Sequence, residues 1–127
     1  MTRTHHLKPT FQLRLALHND VVIGPGKADL LEMIDQTGSI SAAGRALKMS
    51  YKKAWQLIET MNGYFPSPLV ATHSGGNQRG GAQLTELGKQ VLTHYRALES
   101  QLTIEQSDDA QALLSLLSPI DHYEGQA

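Results

Sequence analysis

Residues 37–62, TGSISAAGRALKMSYKKAWQLIETMN, carry two apolar stripes of helical period separated by a tight turn. Gly38 closes whatever precedes it, and Ser39 or Ser41 can cap a new helix by accepting an orphan first-turn amide. Ile40, Ala43 and Leu47 then fall at i, i+3 and i+7. Lys48-Met49 makes the turn, and Ser50 is a second cap. Beyond it Ala54, Leu57, Ile58 and Met61 form the next stripe, with Lys52, Lys53, Gln56 and Thr60 on the opposite face. A short small-residue helix followed by a longer one that starts with hydroxyls and lysines is the plan of a helix-turn-helix. One helix braces, and the other presents its N-terminal turns to a major groove. Gly44 costs about 1 kcal/mol inside the first helix, and the compensation expected is a close crossing of the two. The bland alternative is a pair of core helices with solvated lysines.

Charge follows the motif. The whole chain of 127 residues carries −1, but residues 39–82 hold Arg45, Lys48, Lys52, Lys53 and Arg79 against Glu59 alone, a net +4. The length suits one domain with an extra helical arm. Without cysteine there is no disulfide framework, thiolate chemistry or cysteine metal site. No uninterrupted apolar run reaches membrane-spanning length and no apolar signal core opens the chain, so a cytoplasmic protein with no membrane partner is expected. His5, His6, His18, His73, His94 and His122 include no i, i+4 metal pair, and no G-x-S-x-G elbow is present. Neither an enzyme nor a cofactor is expected.

The flanks complete the outline. Residues 1–9 are polar, residues 11–17 alternate as a strand, His18-Asn19-Asp20 suits a turn, and Val21-Val22-Ile23 suits a second strand. Gly24-Pro25-Gly26 reads as a break before a helix from about Lys27 to Thr37, with Leu30, Leu31 and Ile34 inward. After the motif, residues 69–73 and 82–84 read as strands around the glycine-rich loop at 74–81. Strand, glycine loop and strand after a helix-turn-helix form a hairpin wing, with Arg79 available to phosphate or a narrow minor groove. Gly76 and Gly81 have the G-x-x-x-x-G spacing of a nucleotide cradle. Ala82-Gln83 stands where such a cradle needs lysine and a hydroxyl, and a strand follows where a helix is needed. Thr85 caps a last long helix whose stripe is Leu87, Val91, Tyr95, Leu98 and Leu102, widened by Leu92 and Ile104. Reaching about residue 105, it spans roughly 30 Å and suits pairing with a second copy, or lying along its own domain. Ser107-Asp108-Asp109 opens a short helix with Ala112, Leu113, Leu116 and Leu117 as its stripe and Pro119 as its stop.

The fold class expected is mainly α with a small β-hairpin wing: a winged helix-turn-helix over residues 1–85, then a dimerisation helix and a short packed helix over 86–127. The run GSIS, then MSYKKAW, then SGG…GGAQLTELG resembles the N-terminal winged-helix domain of ModE-type molybdate-responsive regulators, relatives in this domain of the LysR-type helix-turn-helix. The resemblance spans residues 26–118 and several separated motifs agree in order. It implies a bacterial, nucleoid-associated transcription regulator that binds double-stranded DNA as a homodimer held by the long helix. Serine, tyrosine, lysine and tryptophan of its motif match Ser50, Tyr51, Lys52 and Trp55.

Two departures stand out. The family's wing resembles GGKGGGGA, whereas Asn77 here occupies the lysine position and the charge moves to Arg79. Full-length members carry C-terminal oxyanion-binding domains, while this sequence ends at Ala127 with no room for such a β-barrel. DNA reading is therefore expected, and a molybdate response is not, unless a separate effector or oxyanion-sensing partner supplies it. The expected DNA contacts are Lys52 and Lys53 to phosphates or guanine edges, Gln56 to adenine, Ser50 and Tyr51 to the backbone, Arg45 and Lys48 from the brace and turn, and Arg79 from the wing. Trp55 is expected to pack between helix and hairpin rather than stack on bases. The contrasting class is a winged-helix protein-interaction module that reads no DNA.

Overall fold

The computed structural model describes residues 9–75, 78–102 and 107–118. The chain runs β1 (Leu15–Leu17), β2 (Asp20–Ile23), α1 (Pro25–Thr37), α2 (Ile40–Ala46), α3 (Tyr51–Gly63), β3 (Val70–Gly75), β4 (Gln78–Leu84), α4 (Glu86–Gln101) and α5 (Asp108–Ser115). It is the mainly α winged helix that the sequence predicts.

Three helices and the wing's stem enclose the core. Leu30, Leu31 and Ile34 of α1, Ala43 of α2, and Ala54, Ile58 and Met61 of α3 are buried together with Leu69, Val70, Ala82 and Leu84. α2 and α3 cross closely because Gly44 has no Cβ. One built there would lie 3.2 Å from the Met49 carbonyl oxygen and 3.7 Å from Ala54 Cβ. Gly38 ends α1 with φ +71°, a left-handed conformation that glycine adopts freely. Its amide donates to Ile34 O (2.8 Å), and its carbonyl accepts the Ala82 amide of β4 (3.0 Å). That second bond seats the wing against the α1–α2 junction.

Several boundaries differ from the sequence expectation, each for a backbone reason. The first strand covers residues 15–17 rather than 11–17, since its partner among the described residues, β2, is four residues long. A bulge between Leu15 and Ala16 shifts the register of the pair. His18 and Asn19 make the turn, both at positive φ (54° and 63°), which suits a two-residue hairpin. Gly24-Pro25-Gly26 does not break the chain; it starts α1. Proline at the first helical position has no amide to leave unsatisfied, and the Ala28 amide donates to Gly24 O at 2.9 Å. The helix-turn-helix turn falls on Leu47-Lys48, with Lys48 at φ +58°. Leu69 lies outside β3, and β4 reaches back to Gln78; residues 76 and 77 of the expected loop lie outside the described residues. α4 stops at Gln101 rather than about 105, because Leu102 leaves helical geometry at φ −84°, ψ 81°. Ile104 and Pro119 lie outside the described residues.

Leu69 joins two helices. Its amide donates to the Asn62 side chain near the end of α3 (2.8 Å), and its carbonyl accepts the Thr85 amide ahead of α4 (2.9 Å). The Thr85 hydroxyl donates to Pro68 O (2.7 Å) and accepts the Gly88 amide (3.0 Å). Gly88 lies so close that a Cβ would meet Leu69 O at 2.1 Å.

α4 then runs along its own domain. Tyr95 is buried and its hydroxyl donates to Leu13 O (2.8 Å). Arg96 reaches Asp29 and Glu32 of α1 (both 2.9 Å) and Glu99 (3.0 Å). Burial alone would lower the Arg96 pKa; its hydrogen bonds to Asp29, Glu99 and Glu32 outweigh that and raise it. Of the expected dimer stripe, Leu87 and Val91 are half-buried against the core and Tyr95 is buried in its own protomer, leaving Leu98 and Leu102 exposed. α5 has Ser107 as its cap, as expected, but turns Ala110 and Leu114 inward rather than Ala112 and Leu113. The spacing 110, 114 is also helical. No helix among the described residues is long and apolar enough to cross a membrane.

Candidate nucleic-acid interface

The exposed start of α3 forms the site. Ser50 sits in extended geometry, and its hydroxyl accepts the Lys53 amide at 3.0 Å. That bond satisfies one of the helix's orphan amides and fixes the direction in which the helix leaves the turn. Its first turn holds no acidic residue, so the positive end of the helix dipole and two lysines add rather than cancel.

Apolar packing on one side pushes the polar side chains out on the other. Ala54, Ile58 and Met61 face the core, so Tyr51, Lys52, Gln56 and Glu59 are exposed and Lys53 and Thr60 half-buried. Lys48, Ser50, Lys52, Lys53 and Gln56 line one shallow cleft of about 370 Å³ with Met49. Five of the eight expected DNA-contacting residues are thereby brought together. Tyr51 is exposed beside them, its ring edge-on to Trp55 with centroids 6.2 Å apart. Trp55 is half-buried against the core. Arg45 is exposed one helix away, and its guanidinium donates to Ser41 Oγ (2.9 Å). Arg79 lies in β4 of the wing, and its side chain lies outside what is described.

The wing follows α3 in the chain and packs on α1 and α4 through β4. β3 and β4 pair antiparallel from Val70–Leu84 to Gly75–Gln78. At the pair His73–Gly81 the imidazole lies over the glycine, where a Cβ would come within 2.4 Å of the ring. His73 is exposed there.

Sequence reasoning passes over Lys27. It lies in the first turn of α1, almost wholly buried, and its ammonium donates to Val21 O. Burial lowers its pKa; the Asp20 carboxylate opposes this and the Lys53 charge adds to it. Lys27, Lys53, Asp20, Gln56 and Thr60 share a second open cleft of about 420 Å³, which meets the first at Lys53 and Gln56. A signal is present: 27, 30, 31 and 34 are i, i+3, i+4 and i+7, so Lys27 heads the buried stripe of α1. Among the described residues no group of acidic or histidine side chains is arranged to hold a metal ion.

No family model matches the chain. Individual relatives do. The molybdenum transport protein ModE of Azotobacter vinelandii is 44% identical over 91 residues, covering 70% of this chain and 34% of that protein. The DNA-binding transcriptional dual regulator ModE of Escherichia coli K12 is 34% identical over 118 residues, 90% of this chain and 45% of the relative. The molybdenum-pterin-binding protein MopB of Rhodobacter capsulatus is 41% identical over 78 residues, 61% of this chain and 29% of its own length. The chain thus spans from under a third to under half the length of these curated relatives. Over up to nine-tenths of its own length it matches part of proteins named ModE, and with its winged helix it resembles a fragment of a ModE-type regulator.

Proposed function

We propose that the chain is a sequence-specific reader of double-stranded DNA that regulates transcription as a homodimer. The observation that carries this reading is the α3 face, where Lys48, Ser50, Lys52, Lys53 and Gln56 meet in one open cleft at a capped helix N-terminus. Supporting it is likeness to relatives named as transcriptional regulators and, in one case, as DNA-binding. In this reading residues 1–85 contact DNA and 86–127 hold the pair together. Two α3 helices then enter major grooves about 34 Å apart.

Lys52 and Lys53 neutralise phosphates or donate to guanine edges. Gln56 pairs its amide with adenine, and Lys48 and Arg45 hold the flanking backbone. Ser50, whose oxygen accepts the Lys53 amide, keeps its own hydroxyl proton for a phosphate, as does Tyr51. Arg79 reaches the minor groove or its backbone from the wing. The genes governed are connected with molybdenum, the element for which several relatives are named, and an oxyanion signal reaches the chain through a sensing partner. Such a protein acts in the cytoplasm on the nucleoid.

A titration against the DNA upstream of its own gene, at fixed salt, with scrambled competitor and with or without molybdate, tests this. The chain is expected to bind competitor-resistantly. Replacing Lys52 and Lys53 with alanine together should weaken binding about 30-fold and reduce the salt slope by roughly 1.8, about 0.9 for each phosphate left without its lysine. If the double variant matches the wild type, and scrambled DNA competes equally, the DNA-reading proposal fails and the winged helix is a protein-interaction module.

A further inference from the structure

We propose that α5 of one copy lies on the β1–β2 ribbon of a second copy, so that the pair exchanges its C-terminal helices. The proposal rests on the homodimer reading and gives it a specific contact.

Exposed large apolar side chains are not scattered over this molecule. Among the described residues only Tyr51 belongs to the DNA-facing helices or the wing; the others lie at the two ends of the chain. At the N-terminal end Phe11, Leu15 and Leu17 stand 42–56% exposed. Leu13, at the alternate position between Phe11 and Leu15, packs on the core and accepts the Tyr95 hydroxyl. Of the four alternate apolar residues 11, 13, 15 and 17, one is covered and three are bare. Among the described residues β1 pairs with β2 alone, and the two form a sheet of two strands. A ribbon that small with an open apolar face is marginal in water.

The C-terminal end has the complementary defect. α5 is eight residues long, and helices below about 12 residues are marginal without packing. Its cap and first-turn aspartates favour helix formation, but only Ala110 is buried and Leu114 half-buried. Leu113, Leu116 and Leu117 are 56%, 81% and 44% exposed. One copy therefore holds a leucine-bearing helix that needs a surface and an apolar ribbon that needs a cover, and leaves both exposed.

A second copy is the occupant that satisfies both. In a twofold pair, any contact of element i with element j is repeated as j with i, so one contact type covers both ribbons and both helices. Leu98 and Leu102 extend the interface: they are exposed at and just beyond the end of α4, the helix whose Tyr95 is bonded to Leu13 O just ahead of β1. The exposed area of these side chains at the two ends is on the order of 700 Å² per copy, close to the ~800 Å² that each partner gives to a stable interface.

The chain contains no cysteine, so thiols can be placed at will. Leu15→Cys in a tagged chain and Leu116→Cys in an untagged chain are mixed, allowed to exchange, and treated with a short bismaleimide; sedimentation of the wild type is measured in parallel. Both positions are exposed, so neither substitution threatens folding. The control replaces Leu15→Cys by Thr93→Cys, on the exposed side of α4. A wild-type dimer is expected, with a mixed cross-linked species roughly tenfold above the control, because docked elements meet at high effective concentration. Replacing Leu113, Leu116 and Leu117 together with serine should shift the dimer towards monomer. A dimer that yields no mixed product above the control overturns the exchange and leaves the dimer reading intact. A wild-type monomer at every concentration overturns both. Cross-linking confined within one chain, seen when both cysteines are placed in the same monomeric molecule, also overturns it, because α5 then folds back on its own ribbon.

Discussion

Helices α3 and α4 begin alike. Each has a hydroxyl cap that accepts the amide three residues on, Ser50 from Lys53 and Thr85 from Gly88, both at 3.0 Å. Each is amphipathic. They differ in where the cations go. On α3 Lys52 is exposed and makes no ion pair among the described residues, whereas on α4 Arg96 is turned onto α1 and held by three carboxylates. They differ again in the outward apolar residues, a single tyrosine on α3 and, at the end of α4, Leu98 with Leu102 just beyond it. The same helical period therefore serves two ends: α3 leaves Lys52 exposed, and α4 neutralises Arg96 internally and leaves leucine outside.

The sharpest way to break this contrast is to dislodge α4. Gly88→Ala places a Cβ 2.1 Å from a backbone oxygen that cannot swing away. It should cost about 3 kcal/mol, seen as a melting temperature lower by roughly 10–20 °C. An unchanged melting temperature would show that α4 is not seated on Leu69.

Tyr95 gives the next effect. Burial, with the Glu99 charge, pushes its pKa up to about 12 from 10. Its folded pKa is raised, so the stabilisation is complete below pH 10 and is lost as pH climbs towards 12. Tyr95 is mostly screened from solvent, and the loss is about 2 kcal/mol. Urea midpoints across that window should fall more steeply for the wild type than for Tyr95→Phe, and parallel curves would remove the hydroxyl as the cause.

Arg96→Met keeps most of the side chain's length and removes its charge. The cluster is a third to two-fifths exposed, so a loss of about 1 kcal/mol is expected, with the three remaining carboxylates repelling one another at low salt. Lys52→Met should leave the melting temperature unchanged. If the two substitutions cost the same stability, the division of labour between the helices is wrong.

The smallest effect separates fold from function in the turn. Lys48 holds φ +58°, where a side chain is strained and glycine is not. Lys48→Gly should raise stability by roughly 0.5 kcal/mol, net of the extra freedom of the unfolded chain, while lowering DNA affinity. Calorimetry and the same DNA titration check the two halves.

The α2–α3 unit is legible in the sequence because its signals are local. Serine caps, a helical apolar period and an interior glycine all report on neighbours within one or two turns, and all three hold. Lys27 is legible only as the head of the apolar stripe of α1; its acceptor, Val21 O, lies on a strand whose placement against α1 the sequence does not specify. Alternation overextends the strand at 11–17 because it records which side chains are apolar, not how long the partner strand is. The inward face of α5 escapes for a related reason. Two stripes of equal period share that short helix, and only the tertiary surroundings choose between them. Tyr95 looks like part of an outward seam, yet it is tied to a carbonyl 82 residues away.

The relay through Leu69 has a mechanical consequence. With its amide held by α3 and its carbonyl by the residue that caps α4, a buried residue acts as a weld between α3 and α4, with little play for either to pivot. In a pair of copies built on α4, the two reading helices would then behave like the points of a calliper locked at one opening. A binding site whose half-sites are one base pair too near or too far must be brought to that opening by twisting the duplex, not by yielding of the protein. The cost falls on DNA whose spacer is stiff, so spacer length and pliability would be discriminated although no side chain touches them.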